Sequence, residues 1–158
     1  MTDVAKPQSV QRPQPLPNDL TSPFWDAARD GVLALQRCSG CARFHHPPLA
    51  YCPECHSNSF AFTPVSGRGT VYTYTIMRQA RVVGFEDMVP YACLAVEIDE
   101  QPGVLVVGNL VEADPESARV GMRVEVRFEP LGEGMQLPQF APQQQQGDRG
   151  SLPLKGSA

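Results

Sequence analysis

Cys38, Cys41, Cys52 and Cys55 restrict what this chain can fold into more than any of its other residues. They read C-x2-C, ten residues, then C-x2-C. Each C-x-x-C turn holds two thiolates close enough to share a cation, and two such turns complete a tetrahedral S4 site. Four thiolates leave no open position for water, so the ion is structural rather than catalytic. Thiolate ligands without redox chemistry favour Zn2+, one per chain. Spacing alone leaves a rubredoxin-type iron site open, because its ligand set is the same. A subdomain of about 30 residues has too little core to fold without such a staple. His45, His46 and His56 lie beside the knuckles, but four cysteines already satisfy the ion. They are read as surface residues or supports of the ligands. Cys93 sits mid-strand in an apolar run and reads as a small buried hydrophobe. Paired cysteines of this kind also fit a reducing compartment better than disulfides.

The segments around the knuckles set the expected organisation. Residues 1–20 carry Pro7, Pro13, Pro15 and Pro17 and little apolar material, which predicts a disordered lead-in. Residues 21–31 predict a short helix, with Ser22 as N-cap, Pro23 at the first helical position, Asp26 in the first turn and Gly31 as the stop. So short a helix gains its stability from docking. Phe24 and Trp25 are either its packing stripe or anchors for a partner. Residues 32–65 alternate strand, knuckle, strand, knuckle, strand: a zinc ribbon. From residue 66 to 140 the texture is five short strands: GTVYTYTIM, YACLAVEI, GVLVVGNLV, RVEVRFEPL and MQLPQF. The connection after the third strand, ADPESARVGM, suits a Greek-key OB-fold barrel. In the first barrel strand, period-2 alternation places Tyr72, Tyr74 and Ile76 on one face. Residues 141–158 are polar and Gly/Pro-broken and predict a disordered tail. The fold class is therefore mainly β: short N-terminal helix, zinc ribbon, five-stranded barrel.

Several function classes recede. The net charge is −4, with 13 Lys and Arg against 17 Asp and Glu, and there is no basic cluster. This opposes a nucleic-acid binder, the main alternative for a zinc ribbon joined to an OB fold. There is no long apolar run and no apolar leader, so neither a membrane span nor a signal peptide is expected, and the expected location is cytoplasmic. No G-x-S-x-G, phosphate-cradling glycine loop or H-E-x-x-H is present. Glu86 and Asp87 read as a solvated loop pair, and Asp114 and Glu116 as capping residues beside Pro115. No catalytic residue is assigned.

The order of motifs PFWDAARDG, QRCSGC, PPLAYCPEC, VSGRGTVYTYT, VPYACLAVEID, LVVGNLV, VGMRVEVRFE and GMQLPQF closely resembles the zinc-ribbon/OB-fold proteins associated with acyl-CoA enzymes, the "domain of unknown function thirty-five" group. The resemblance runs from about Pro23 to Pro142. It implies a helix, a rubredoxin-like ribbon and an OB barrel, with the four zinc positions filled by Cys38, Cys41, Cys52 and Cys55. It also implies a non-catalytic accessory subunit of a thiolase-like partner of thiolase, ketosynthase or retro-aldolase type. A hydratase-like subunit is a further implied partner. Acyl-CoA would then lie at or near the interface, in acyl-CoA, lipid or steroid side-chain metabolism. Such family members often carry Gly after the last ligand, where this chain has His56. Acyl-CoA carries phosphates, and Arg78 and Arg81, in the loop after the first barrel strand, are candidates to meet them. Phe24, Trp25, Phe44, Tyr51, Tyr72 and Tyr74 are the candidate partner contacts.

Overall fold

Helix α1, Ser22–Arg29, starts one residue earlier than its sequence suggests. Thr21 takes the cap position without a side-chain cap bond, and Pro23 falls in the first turn. The turn before it is held by Asn18, whose Oδ1 accepts from Leu20 N at 3.1 Å and Thr21 N at 3.0 Å. Ser22 is helical, and its hydroxyl donates back to Asn18 O at 2.7 Å. Asp26 faces Arg29 rather than the helix N-terminus. The stop is as expected: Gly31 adopts φ +72° just beyond the last turn. The structure, a computed structural model, describes residues 12–132 and 134–143. The expected disorder over residues 1–11 and 144–158 lies outside the described residues.

The helix leads into a three-stranded antiparallel sheet in the order β2-β1-β3, formed by β1 (Ala34–Cys38), β2 (Phe44–His45) and β3 (Phe60–Pro64). This is the ribbon. The chain then enters a five-stranded antiparallel sheet: β4 (Arg68–Met77), β5 (Tyr91–Ile98), β6 (Leu105–Asn109), β7 (Arg123–Gly132) and β8 (Met135–Pro142). Its order is β6-β5-β4-β7-β8. A parallel bridge between Leu110 and Phe140 joins its two ends and closes the barrel. Closure removes most of the unpaired edge that an open sheet would leave. The predicted strand YACLAVEI is β5 residue for residue, and its alternate residues Ala92, Leu94, Val96 and Ile98 are buried. With Val71, Val106, Val124 and Phe140 they form the core. Burying each larger side chain contributes about 1.5–3 kcal/mol.

Two glycines make the passage from ribbon to barrel possible. Gly67 has φ +72°, and a Cβ there would lie 2.4 Å from a Val126 methyl. At Gly69 a Cβ would meet Glu97 O at 2.4 Å. Neither is an incidental turn glycine; both allow strands to approach closely.

The structure moves three expected boundaries or faces. Residues 12–20 are placed, with Arg12 bound to Glu129 at 2.8 Å. The last strand runs past residue 140, with Ala141 buried and Pro142 opposite Val124. In β4 a bulge falls between Val71 and Thr73, so Val71 pairs with Val96 and Tyr74 with Leu94. Tyr72 is the extra residue, so the simple alternation that put it on one face with Tyr74 is broken.

Candidate metal centre and partner surface

The four cysteines converge as their spacing predicts. Their sulfurs all lie within 4.8 Å of one another, with Cys38–Cys55 and Cys41–Cys52 each at 3.5 Å. A tetrahedral zinc site with Zn–S of about 2.3 Å needs sulfurs about 3.8 Å apart, so the cradle fits the ion. The two knuckles share one backbone design. Ala42 N donates to Cys38 O and His56 N to Cys52 O, each at 2.9 Å. Ala42 (φ +62°) and His56 (φ +60°) both take the left-handed conformation just after the second cysteine of their pair. That backbone is why Gly would suit the position held here by His56.

Local dipoles and neighbours sort the thiols. Amide N–H groups of Cys41 and then Gly40 outweigh burial and bring Cys38 down to about 6, favouring its thiolate. At Cys55 the Ser57 amide favours the thiolate, but the Cys38 sulfur, burial and the other two sulfurs push it up to about 12. A cation at the centre of the four sulfurs resolves that conflict, because it deprotonates all of them. His45 Nε2 lies 3.4 Å from Cys52 Sγ, in reach of a hydrogen bond to a ligand sulfur. His56 serves the turn, and His46 packs on Phe24 with ring centroids 5.1 Å apart.

Side-chain amides hold the ribbon in place. Gln36 donates to Leu49 O and accepts from Leu49 N, each at 2.8 Å. Gln101, from the turn after β5, accepts from Phe44 N at 2.8 Å and donates to Phe44 O at 3.1 Å, tying the ribbon to the barrel. Gln139 accepts from Asn109 N and donates to Glu129. None of these three had a signal in the sequence, since a lone glutamine is normally read as surface.

The candidate partner contacts separate into two groups. Phe24 is buried in the core and Trp25 packs edge-on against it at 5.0 Å. An eight-residue helix cannot stand alone, so this pair docks α1 onto the barrel, and Phe24 is not a free anchor. Phe44 is half-buried against the core under the Arg37 guanidinium, 5.4 Å from its ring. Tyr51 and Tyr72 are 66% and 60% exposed, and Tyr74 is 38% exposed where β7 leaves β4 after Thr70. Arg78 is already paired with Glu116 at 2.6 Å, while Arg81 is exposed and reaches only Gln79. Asp114 caps a short 3-10 turn, Pro115–Ser117, by accepting from Glu116 N at 2.9 Å. Cys93 is half-buried rather than fully buried, and burial raises its thiol. No helix among the described residues is long and apolar enough to cross a membrane.

Comparison with known proteins agrees with this architecture. Residues 25–61 match the ChsH2 rubredoxin-like zinc ribbon domain and residues 62–129 the ChsH2 C-terminal OB-fold domain. A DUF35 domain-containing scaffold protein of Methanocaldococcus jannaschii is 34% identical over 98 residues, which cover 61% of this chain and 67% of that protein. The chain belongs to the DUF35 family. Its ribbon is a structural zinc site: residues 25–61 match a zinc ribbon domain, and the four cysteine sulfurs converge as such a site requires. This DUF35 chain also matches a probable enoyl-CoA hydratase alpha subunit of Thermomonospora curvata, 33% identical over 87% of the chain and 41% of that protein. A 3-oxo-4,17-pregnadiene-20-carboxyl-CoA hydratase alpha subunit of Mycobacterium tuberculosis is 30% identical over 80% and 38%. The chain thus spans about two fifths of the length of these hydratase subunits. Among solved structures it is similar to a chain of an Ltp2-ChsH2(DUF35) aldolase. That match has a TM-score of 0.74 and 32% identity, covering 82% of this chain and 98% of that one.

Proposed function

We propose that this DUF35 chain is a non-catalytic accessory subunit. It binds a thiolase-like enzyme and helps form that enzyme's acyl-CoA site, in acyl-CoA, lipid or steroid side-chain metabolism. The observation that carries this reading is the likeness, over 82% of this chain and 98% of the matched one, to a chain of an aldolase named for two components, Ltp2 and ChsH2. Relatives named as scaffold proteins and as hydratase alpha subunits support it. The site chemistry agrees. A closed S4 centre has no position for a substrate. The exposed aromatics Tyr51, Tyr72 and Tyr74 are the contacts proposed for the partner, and Arg81 is the guanidinium best placed to meet a coenzyme A phosphate.

Electrostatics weigh against the nucleic-acid alternative. Among the described residues Arg12, Arg29, Arg43, Arg78, Arg123 and Arg127 each sit in an ion pair, so more than half of the described arginines are already matched by a carboxylate rather than free to meet a phosphate backbone. Affinity purification from the native host tests the proposal. A thiolase-like protein in stoichiometric complex is expected, with loss of its activity when this chain is deleted. A chain that emerges alone, beside a thiolase-like enzyme that works unaided, sinks the proposal.

A further inference from the structure

A cavity of about 440 Å3 lies between α1, the chain before it, the His46–Pro48 turn, β6 and the β7–β8 hairpin. That volume is within the range of small-molecule sites and equals about fifteen waters of liquid. Its walls are apolar, with Phe24, Trp25, Pro47, Val107, Leu137 and Pro138 prominent. The one charged group in its lining is Arg12, and this is already engaged by both carboxylate oxygens of Glu129, at 2.8 and 3.4 Å. Glu129 in turn accepts from Gln139 at 2.7 Å, and Gln139 accepts from Asn109 N at 2.6 Å. No cation is left over for a phosphate or a carboxylate, and most of the polar rim is self-satisfied. One exception is His46 Nδ1, which is buried without a hydrogen-bond partner. The other is the Asn109 carboxamide, which makes no hydrogen bond among the described residues. It stands two residues from Val107 on β6, on the same face. It can donate to a carbonyl or accept from a hydroxyl.

We propose that this cavity is a binding site for a neutral, mostly apolar small molecule with one carbonyl or hydroxyl group, held by the apolar walls and oriented by Asn109. It is separate from the zinc centre, and it excludes the anionic, nucleotide end of a coenzyme A thioester. Both a flexible aliphatic chain and a rigid alicyclic ring have this chemistry.

The chain has a single tryptophan, and that residue, Trp25, lines the cavity. Its emission therefore reports occupancy directly. The full zinc-loaded chain is titrated with 1-octanol as the flexible probe and camphor as the rigid one. Octanoate and adenosine 3′,5′-bisphosphate are the charged comparisons, and calorimetry gives a second reading. At least one neutral probe is expected to saturate the Trp25 response, octanoate to bind at least tenfold more weakly than octanol, and the nucleotide to give no response. Which neutral probe wins assigns the chain or the ring. Val107 is 61% exposed, so Val107→Glu is tolerated by the fold yet places a charge on the wall. It is expected to weaken binding at least tenfold at an unchanged melting temperature. Asn109→Leu is expected to weaken it about 2- to 10-fold, the value of one hydrogen bond. The proposal is overturned if neither neutral probe saturates, if the nucleotide or octanoate binds as tightly as octanol, or if Val107→Glu binds normally. It is equally overturned if Trp25 emission shifts with protein concentration alone, since a second copy then fills the cavity. None of these outcomes depends on the presence of a thiolase-like partner, so the two proposals fail separately.

Discussion

The ribbon and the barrel solve the same problem, holding short strands together, by opposite means. The barrel buries the larger side chains: Val71, Leu94, Val96, Val106, Val124 and Phe140 are all at most 1% exposed. In the ribbon Leu33, Ala34 and Leu35 are buried at its start, with Leu33 and Leu35 joining the barrel core, but beyond them the most deeply buried groups are Gln36, Cys38 and Cys52, two of them metal ligands and the third a backbone clamp. Hydrophobic burial scales with the number of side chains enclosed, and a segment this short encloses few. A metal and paired amide bonds substitute for the missing core. The difference teaches where function can sit. The zinc stabilises a shape, the barrel supplies the rigid body, and the surfaces they present are free to bind.

Substitutions can break that contrast, in order of effect. Cys52→Ser removes a buried ligand, and structural zinc sites contribute about 10–16 kcal/mol to folding. Zinc content is expected to fall from one per chain toward zero by elemental analysis, while the far-ultraviolet signal of the barrel persists. Phe140→Ala strikes the other half: a buried aromatic at the bridge to Leu110 is lost, at a cost of about 3–5 kcal/mol. Denaturant melting is expected to show this loss, with zinc still bound at low denaturant. Gln101→Ala cuts the tie between the two halves and leaves the Phe44 backbone unpaired, at about 1–3 kcal/mol. Faster amide exchange at Phe44, with little change in β5, is the expected signature. His56→Gly relieves a left-handed backbone and is expected to stabilise the ribbon by about 1 kcal/mol, read as a higher chelator concentration for half release of zinc.

The smallest effect is electrostatic. Hydrogen bonds from Arg123 hold the Asp99 carboxyl below its ordinary value of 3.8. A depressed carboxylate contributes stability above that value and loses it as pH falls through the lower, folded-state value. The pair is well exposed, so the contribution is below about 1 kcal/mol. The stability gap between the natural chain and Asp99→Asn should therefore close as pH falls below about 4.

Local patterns made much of this legible. The cysteine spacing specified the metal cradle, the alternation in YACLAVEI gave β5, and Gly31 marked the helix end. What escaped depends on partners distant in sequence. The bulge at Tyr72 exists because β4 must match β5, and nothing in TVYTYT announces it. The continuation of β8 through Ala141 and Pro142 depends on pairing with β7, against a Pro/Gln-rich composition that reads as tail. Phe24 could be placed in the core only once α1 was seen against β1 and β8. The amide clamps of Gln36, Gln101 and Gln139 leave no pattern at all.

Hydrogen exchange of the full chain, with zinc and after chelation, tests the two-part account most directly. The account predicts that amides between residues 36 and 64 lose protection when the metal is removed, while those of β5, β7 and β8 keep theirs. Uniform loss across both halves, or a ribbon that stays protected without its metal, would contradict it.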